Sequence, residues 1–375
     1  MPMRVQRVLM PDSRLESWTV LGDDHAPVEP VERWLAYLSA TDRSPNTVKG
    51  YAHDLKDWFA YLAGRGLDWR AVQLEDLGGF VAWLRLSPAA RDGRVLMLPS
   101  AEEHVLNASV NRKLSALSSF YEFHARHGLD LGELLVTWRP YAGARTAWKP
   151  FLHHIAKHQP QRRRIIKLKT PKPRPRILTA VEVQAILDAC TRLRDRLLFA
   201  TLHDTGVRIG EALGLRHEDL AVAEQELTVR PRCNDNAART KSAEPRTVPV
   251  SAGLVRLYAD YLHGEYGDLD SDYVFVNLWG RPLGQPMTYV SVYDLVGRLR
   301  RRTGVCFEPH WLRHTYATEL LRRGTPIETV SKLLGHASIA TTLDAYGHLT
   351  AEDARRALVA AGWFDRNGAS RRVRL

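Results

Sequence analysis

The sequence predicts a mainly helical protein with a small antiparallel β-sheet, arranged as two domains joined by a basic linker. Three observations predict it: apolar stripes at three- and four-residue spacing before residue 129 and after residue 177, two short β-like runs within the second region, and a stretch in which prolines alternate with cations. The chain has 375 residues, room for two domains at ~100–200 residues each. Apolar residues at 45% and charged residues at 25% exclude wholesale disorder. No run approaches the ~20 apolar residues of a membrane span, and the opening MPMRVQRVLMPDSRLESW has no sustained apolar stretch, so a cytoplasmic protein is expected. Cys190, Cys233 and Cys306 are odd in number and far apart, which fits neither a disulfide framework nor a cysteine zinc site.

Residues 1–27 read as an extension before an all-helical domain over 28–128. Short helices are expected at about 28–39 and 75–85. Ser44 with Pro45 marks a capped helix start, and Val48, Tyr51, Leu55, Phe59 and Leu62 then form one apolar face that stops near Gly64. Val110, Leu114, Leu117, Tyr121 and His124 form another, ending by Gly128. Residues 129–160 carry Trp138, Tyr141 and Trp148 without a clear period. His154 and His158 there have a metal-like spacing but no third ligand, and no metal is expected.

The formal charge is +11, and its distribution is uneven. Gln161–Arg176 contains Arg162, Arg163, Arg164, Lys167, Lys169, Lys172, Arg174 and Arg176 and no acid, so that setting these eight cations aside leaves only +3 for the rest. Pro171, Pro173 and Pro175 disfavour a helix and suit a semi-rigid extended connector. Such a stripe either is a solvated surface or tracks a polyanion, and we read these eight residues as contacts to a phosphate backbone.

Beyond the linker, Thr179-Ala-Val-Glu182 is a capping box opening a helix, and a helical stretch continues over 191–203. ELTVR (226–230) and RTVPV (246–250) are the two strand candidates. Thr325–Glu328 and Thr350–Asp353 repeat the capping-box pattern, while Gly324, Gly335 and Gly362 mark helix stops. The segment after Thr350 reads as an amphipathic helix with a basic tail.

Within this region, Gly206 permits a tight turn and Arg208 opens the next helix, a posture suited to an anion, although Arg208 and Glu211 also have the spacing of a simple helix-surface pair. His310 and Arg313 share one face of a first helical turn; Trp311 stands where a zinc protease of the H-E-x-x-H type needs its glutamate. Leu333-Leu-Gly335-His336 delivers a histidine from a helix end, and Tyr346 follows within TTLDAYGH. A tyrosine at its usual pKa of ~10 is a poor nucleophile unless cations surround it, and here the chain supplies cations.

Taken in order, R…H-x-x-R…G-H…Y resembles the signature of the tyrosine recombinase, or phage integrase, family of DNA breaking and rejoining enzymes. The likeness extends to the helical domain 28–128, which resembles the family's core-binding domain. Within 129–176, an insert followed by the basic linker, the linker resembles the family's interdomain connector; residues from about 177 onward resemble its α+β catalytic domain, taken as 177–349, with a C-terminal helix and basic tail over 350–375. The resemblance implies that Arg208 and Arg313 neutralise the scissile phosphate, that His310 assists proton transfer, that His336 contacts a non-bridging oxygen and that Tyr346 is the nucleophile. It implies a supporting role for Glu211. It also implies a lysine general acid in the hairpin of the small sheet, for which Lys241 is the sole lysine between the two strands, although its surroundings depart from the usual G-K-G-x-K-x-R pattern and Arg246 follows it.

The implied activity is site-specific cleavage and rejoining of DNA through a 3′-phosphotyrosine, without metal, cofactor or ATP, since the covalent bond conserves the phosphodiester energy. The implied partners are double-stranded DNA at a target site, further copies of the chain in a tetrameric synapse, and accessory DNA-binding proteins, with a nucleoid location in the cell. Residues 129–160 tilt the reading toward integration, excision or transposition of a mobile element and away from a Xer-like chromosome or plasmid dimer resolvase. A type IB topoisomerase shares similar tyrosine chemistry without partner exchange, and a DNA-binding regulator with an inactive catalytic domain is the alternative of a different class.

Overall fold

The computed structural model describes residues 3–9, 16–91, 104–129, 136–139, 161–164, 166–170, 175–241 and 244–346, with 355, 358, 359, 361 and 362 beyond; for 89, 136–139 and 161–164 the backbone alone is described. The chain divides into two compact units, Met1–Lys172 and Pro173–Leu375, so the boundary falls inside the basic stretch.

Helices form within the described part of 28–128, as the apolar periodicity predicts, and the extension before them adds a β-hairpin. Strands β1 (Arg4–Leu9) and β2 (Glu16–Leu21) pair antiparallel, Arg4 opposite Leu21. β2 buries Ser17, Thr19 and Val20 against the helices that follow, so the extension is part of this core. The helices are α1 (Glu29–Ala40), α2 (Pro45–Arg65), α3 (Leu74–Arg85), the single turn α4 (Pro88–Arg91) and α5 (Asn107–Ala125). Ser44 caps α2 by accepting from the Thr47 amide at 3.3 Å, and Gly66 ends it at φ +65°. The predicted stripes face one another: Val48, Leu55 and Leu62 of α2 are buried with Val110, Leu114 and Leu117 of α5. Trp58 Nε1 donates to Tyr121 Oη (3.1 Å), and Tyr121 Oη donates to the Trp69 carbonyl (3.0 Å), so the large aromatics are satisfied as well as packed.

Asp54 is completely buried between α2 and α5. Arg112 bonds it, and Lys113 Nζ lies 3.1 Å from Asp54 and 2.8 Å from Asp57. The basic stretch is also not free of secondary structure at its start. β4 (Gln161–Arg164) pairs antiparallel with β3 (Val136–Arg139), Trp138 opposite Arg162. Further along, Asn111 of α5 exchanges two 2.9 Å bonds with the backbone of Leu168. Ile166 and Leu168 thereby pack on the first core while Lys167 and Lys169 stay exposed, an alternation that an extended backbone imposes.

The second unit opens with α6 (Ala180–Asp188), whose capping box is formed: the Thr179 amide donates to Glu182 at 2.8 Å and the Glu182 amide to Thr179 Oγ1 at 3.2 Å. α7 (Leu193–Thr205) and α8 (Ile209–Leu213) follow. The sheet has three strands, β5 (Leu220–Ala221), β6 (Glu226–Val229) and β7 (Arg246–Pro249), all antiparallel. Leu227, Val229 and Val248 turn into the core, and Thr228 bonds Thr247 across the strands at 3.1 Å on the other face. Among the described residues α9 (Ala252–Tyr261), α10 (Tyr289–Thr303), α11 (Pro309–Arg322) and α12 (Ile327–Leu334) follow, and α13 (Ile339–Tyr346) lies against α12.

The capping box expected at Thr325 does not form. Pro326 is the N-cap of α12, and the Thr325 amide instead donates to the Leu320 carbonyl at 3.0 Å, closing the C-terminus of α11 after Gly324. The box expected at Thr350, the histidines 154 and 158 and most of the C-terminal helix lie outside the described residues. No helix among the described residues is long and apolar enough to cross a membrane.

Removing one partner of a buried ion pair strands the other charge, at a cost of about 3–5 kcal/mol. Because Lys113 keeps Asp57 and Arg112 is half-exposed, Asp54→Ala should destabilise the first unit by less, about 1–3 kcal/mol, read as a lowered denaturant midpoint of full-length protein.

Candidate active site

The site is assembled from helix ends. α7 stops at Gly206, whose backbone is left-handed (φ +63°) and whose missing side chain leaves room for Tyr316, since a Cβ there would come within 2.3 Å of that ring. The chain then turns to place Arg208 at the N-cap of α8. Glu211, one turn on, is buried; it accepts from the Arg208 amide at 2.9 Å and from Arg208 Nη1 at 2.8 Å.

Arg246, the first residue of β7, reaches the same carboxylate from the other side, at 2.6 and 3.2 Å. Its Nε donates to the Leu333 carbonyl in the last turn of α12 at 2.9 Å. Gly335, at φ +64°, makes that approach possible, because a Cβ would meet Arg246 Nη1 at 2.8 Å. Burial raises the Glu211 pKa, but the bonds and charges of Arg246 and Arg208 outweigh it and hold this carboxyl below its ordinary value. Glu211 is thus the anion that lets two cations stand side by side.

α11 contributes His310, Arg313 and His314. Arg313 is 2% exposed. It donates to the Gly206 carbonyl (2.7 Å), to the Leu334 carbonyl (2.8 Å) and to His336 (2.9 Å). Burial, then the nearby Arg208 cation, push its pKa down to about 9, which leaves it charged at neutral pH. Arginine has no acceptor, so His336 Nε2 accepts from Arg313 and the neutral ring carries its proton on Nδ1, which donates to the fully buried Thr342 Oγ1 at 2.8 Å. Burial and the cations Arg313, Arg208 and Arg246 push His336 down to about 4.

His310 stands exposed at the first turn of α11, and desolvation followed by the charges of Arg313, Arg208 and Lys241 lowers its pKa. Lys241 is exposed in the loop between β6 and β7. It lines a cleft of about 770 Å³ with Arg208, Arg246, Lys332 and His336. Tyr346, the last residue of α13, is 6% exposed, and His314 Nδ1 lies 2.7 Å from its Oη. Burial raises the Tyr346 pKa while Arg313 and Arg208 oppose the rise.

The residues singled out by motif, Arg208, Glu211, Lys241, His310, Arg313, His336 and Tyr346, therefore occupy one region of the second unit. Of the eight linker cations, Lys167 and Lys169 belong to the first unit and Arg176 stacks on Trp311 at 4.6 Å. The side chains of Arg162, Arg163 and Arg164, and all of Lys172 and Arg174, are outside the described residues. Sequence reading missed His314 and Thr342 and gave Arg246 no role; the available signals were the i+4 spacing of His314 from His310 and of Thr342 before Tyr346.

The phage integrase family model matches residues 176–353, and the model of the phage integrase N-terminal SAM-like domain matches residues 31–128. Transposase A from transposon Tn554 of Staphylococcus aureus is 38% identical over 355 residues, 94% of this chain and 96% of that protein. Tyrosine recombinase XerA of Thermococcus onnurineus is 28% identical over 88% of this chain and 94% of its own length. Among solved structures, the Tn1549 transposon integrase in complex with transposon right end DNA superposes with a TM-score of 0.58 at 16% identity, covering 89% of this chain and 98% of that one.

His314 and His336 are both held near 4, below the 6.5 of an unperturbed histidine. Between those values the unfolded chain binds protons that the folded chain does not, so both residues erode stability as pH falls from about 6.5 to 4 and have no such effect above that window. His336→Asn should flatten the slope of unfolding free energy with pH in that window, measured by urea titration at successive pH values.

Proposed function

The chain belongs to the phage integrase family, the tyrosine recombinases, and on that premise we propose that it cleaves and rejoins DNA at a mobile element's ends with Tyr346 as nucleophile. The observation that supports this assignment most directly is the convergence, from three separate helix ends and one strand, of Arg208, Arg246, Arg313 and His336 beside a buried tyrosine. The extended similarity to a transposon's transposase supports the mobile-element role.

In this reading Tyr346 gives up its phenolic proton, with His310 assisting the transfer, Oη attacks the scissile phosphorus, the bond to the 5′ oxygen breaks, and a 3′-phosphotyrosine forms. Negative charge grows on the non-bridging oxygens and on the leaving oxygen. Arg208 and Arg313 answer the first, each held in place before the substrate arrives, and such preorganised donors are worth about 10²–10³ in rate apiece. Lys241 gives its proton to the leaving oxygen. His310 assists proton transfer, and His336 contacts a non-bridging oxygen that takes its place on Arg313, donating from Nε2 in the other ring tautomer, in which Nδ1 accepts from the Thr342 hydroxyl. Reversal uses the same groups, so rejoining needs no external energy.

One nucleophile per chain sets the assembly. Two duplexes present four strands, so a complete exchange takes four copies of the chain, and target choice must come from base-reading helices in one or both units. The dimer-resolvase reading uses the same residues, and strand exchange between two element ends, as against two chromosomal sites, separates the two. The basic stretch supplies sequence-independent affinity.

Tyr346→Phe should abolish covalent protein–DNA adduct on a denaturing gel, using nicked duplexes from DNA flanking the chain's own gene, with binding to the same duplexes unchanged. An active phenylalanine variant removes Tyr346 from the nucleophile role. Replacing Arg162, Arg163 and Arg164 with Ala should weaken binding to all duplexes alike and reduce the slope of log affinity against log salt by about 0.9 for each phosphate no longer neutralised. Unchanged low-salt affinity would show that these arginines do not touch phosphate.

A further inference from the structure

We propose that His314 is a positioning residue for the nucleophile: its Nδ1 receives the Tyr346 hydroxyl hydrogen and fixes Oη at one point, leaving the oxygen's lone pairs free for phosphorus. The inference rests on the reading of Tyr346 as nucleophile and goes beyond the signature, whose H-x-x-R element ends at Arg313.

Three observations carry it. First, Oη and Nδ1 are 2.7 Å apart, a full-strength O–H···N separation, in a place where Tyr346 is 6% exposed and its hydroxyl needs a protein acceptor. Second, the imidazole is itself located from its other side. The His310 ring packs edge-on to it with centroids 4.4 Å apart, and the Tyr346 ring lies at 5.6 Å and 63°. Third, His314 is in the neutral form that an acceptor needs, because burial and the neighbouring His310, Arg313 and His336 hold its pKa at about 4.

The helix supplies the logic. His310, Arg313 and His314 lie at i, i+3 and i+4 and share one side of α11. One turn therefore presents a phosphate ligand and an anchor for the nucleophile, while α13, which carries Tyr346, packs chiefly on α12. Among the described residues, His314 is the hydrogen-bond partner of the phenol, which would otherwise be located by ring packing. A nucleophile misplaced by about 1 Å loses on the order of 10² in rate.

The test measures single-turnover adduct formation by full-length protein at saturating nicked duplex from the flanking DNA. Each variant is also assayed on the same duplex with sulfur in place of the bridging 5′ oxygen. Sulfur leaves without a proton, so that substrate should rescue Lys241→Ala and leave nucleophile-side defects uncorrected. His314→Leu should form adduct about 10²-fold more slowly on both substrates, with its affinity for the duplex unchanged. His314→Asn, whose amide oxygen can occupy the Nδ1 position but cannot take a proton at neutral pH, should stay within about tenfold of wild type. Where the leucine variant does not fold, His314→Gln replaces it: it keeps a polar group but moves the acceptor by a bond length, and should be slow where Asn is fast. Wild-type rates for His314→Leu, its rescue by the sulfur substrate, or an asparagine variant as slow as leucine would each overturn the assignment. Wild-type protein that forms no adduct on either substrate would overturn the recombinase reading and this inference together.

Discussion

The constraint on which this protein's second unit depends is that several cations must be held within one small volume before any anion arrives. Unrelieved, neighbouring guanidiniums repel, and a repelled guanidinium swings into solvent. Two devices relieve it here. Glu211, buried and ionised, sits between Arg208 and Arg246 and binds both. The ends of helices do the rest: the last carbonyls of a helix have no intrahelical partner and carry the negative end of its dipole, and those of Leu333 and Leu334 are taken by Arg246 and Arg313. The same bonds that orient the arginines satisfy a backbone that would otherwise be orphaned. Fold and site are therefore not separable in this region, and a change in how α12 ends is a change in where the cations stand.

This explains which parts were legible in the sequence. Helices with long apolar stripes, such as α2 and α5, were readable because burial follows the 3.6-residue period directly. The Thr179 capping box was readable because both partners lie within four residues. The Thr325 box has the same letters and failed, because the Thr325 amide is claimed by the Leu320 carbonyl behind it. Local pattern cannot register such a prior claim. The β1–β2 hairpin was missed because strand β1 carries Arg4, Gln6 and Arg7 outward, so its inward residues are too few to announce themselves.

The site divides in the same way. Arg208, His310, Arg313, His336 and Tyr346 could be named because their order and spacing form a known pattern. Arg246 and His314 act through partners 35 and 32 residues away in the chain, and no short spacing encodes a bond of that range. Thr342 was within reach, six residues from His336, yet its meaning lies in which nitrogen of that ring bears the proton, which only the pairing with Arg313 reveals. The basic stretch was read as one connector and is at least two things. Its Ile166–Lys169 portion is clamped by Asn111 to the first core, and Arg176 lies on Trp311 in the second unit, so its cations do not share a single freedom of movement.

The bond between Arg313 and His336 has a consequence of a different kind. Of the five N–H groups of Arg313, three are already engaged, two by carbonyls and one by an imidazole nitrogen that occupies the place of an oxygen acceptor. Under the proposed function, a phosphate that takes the imidazole's place on Arg313 would trade with an acceptor already there, so its gain is smaller than on an unengaged guanidinium. A guanidinium holds a charged oxygen more strongly than a neutral nitrogen, so such an exchange would become more favourable as charge gathers on the phosphoryl oxygens. Interactions that strengthen only as charge develops accelerate a chemical step, whereas those equal in ground and transition states do not.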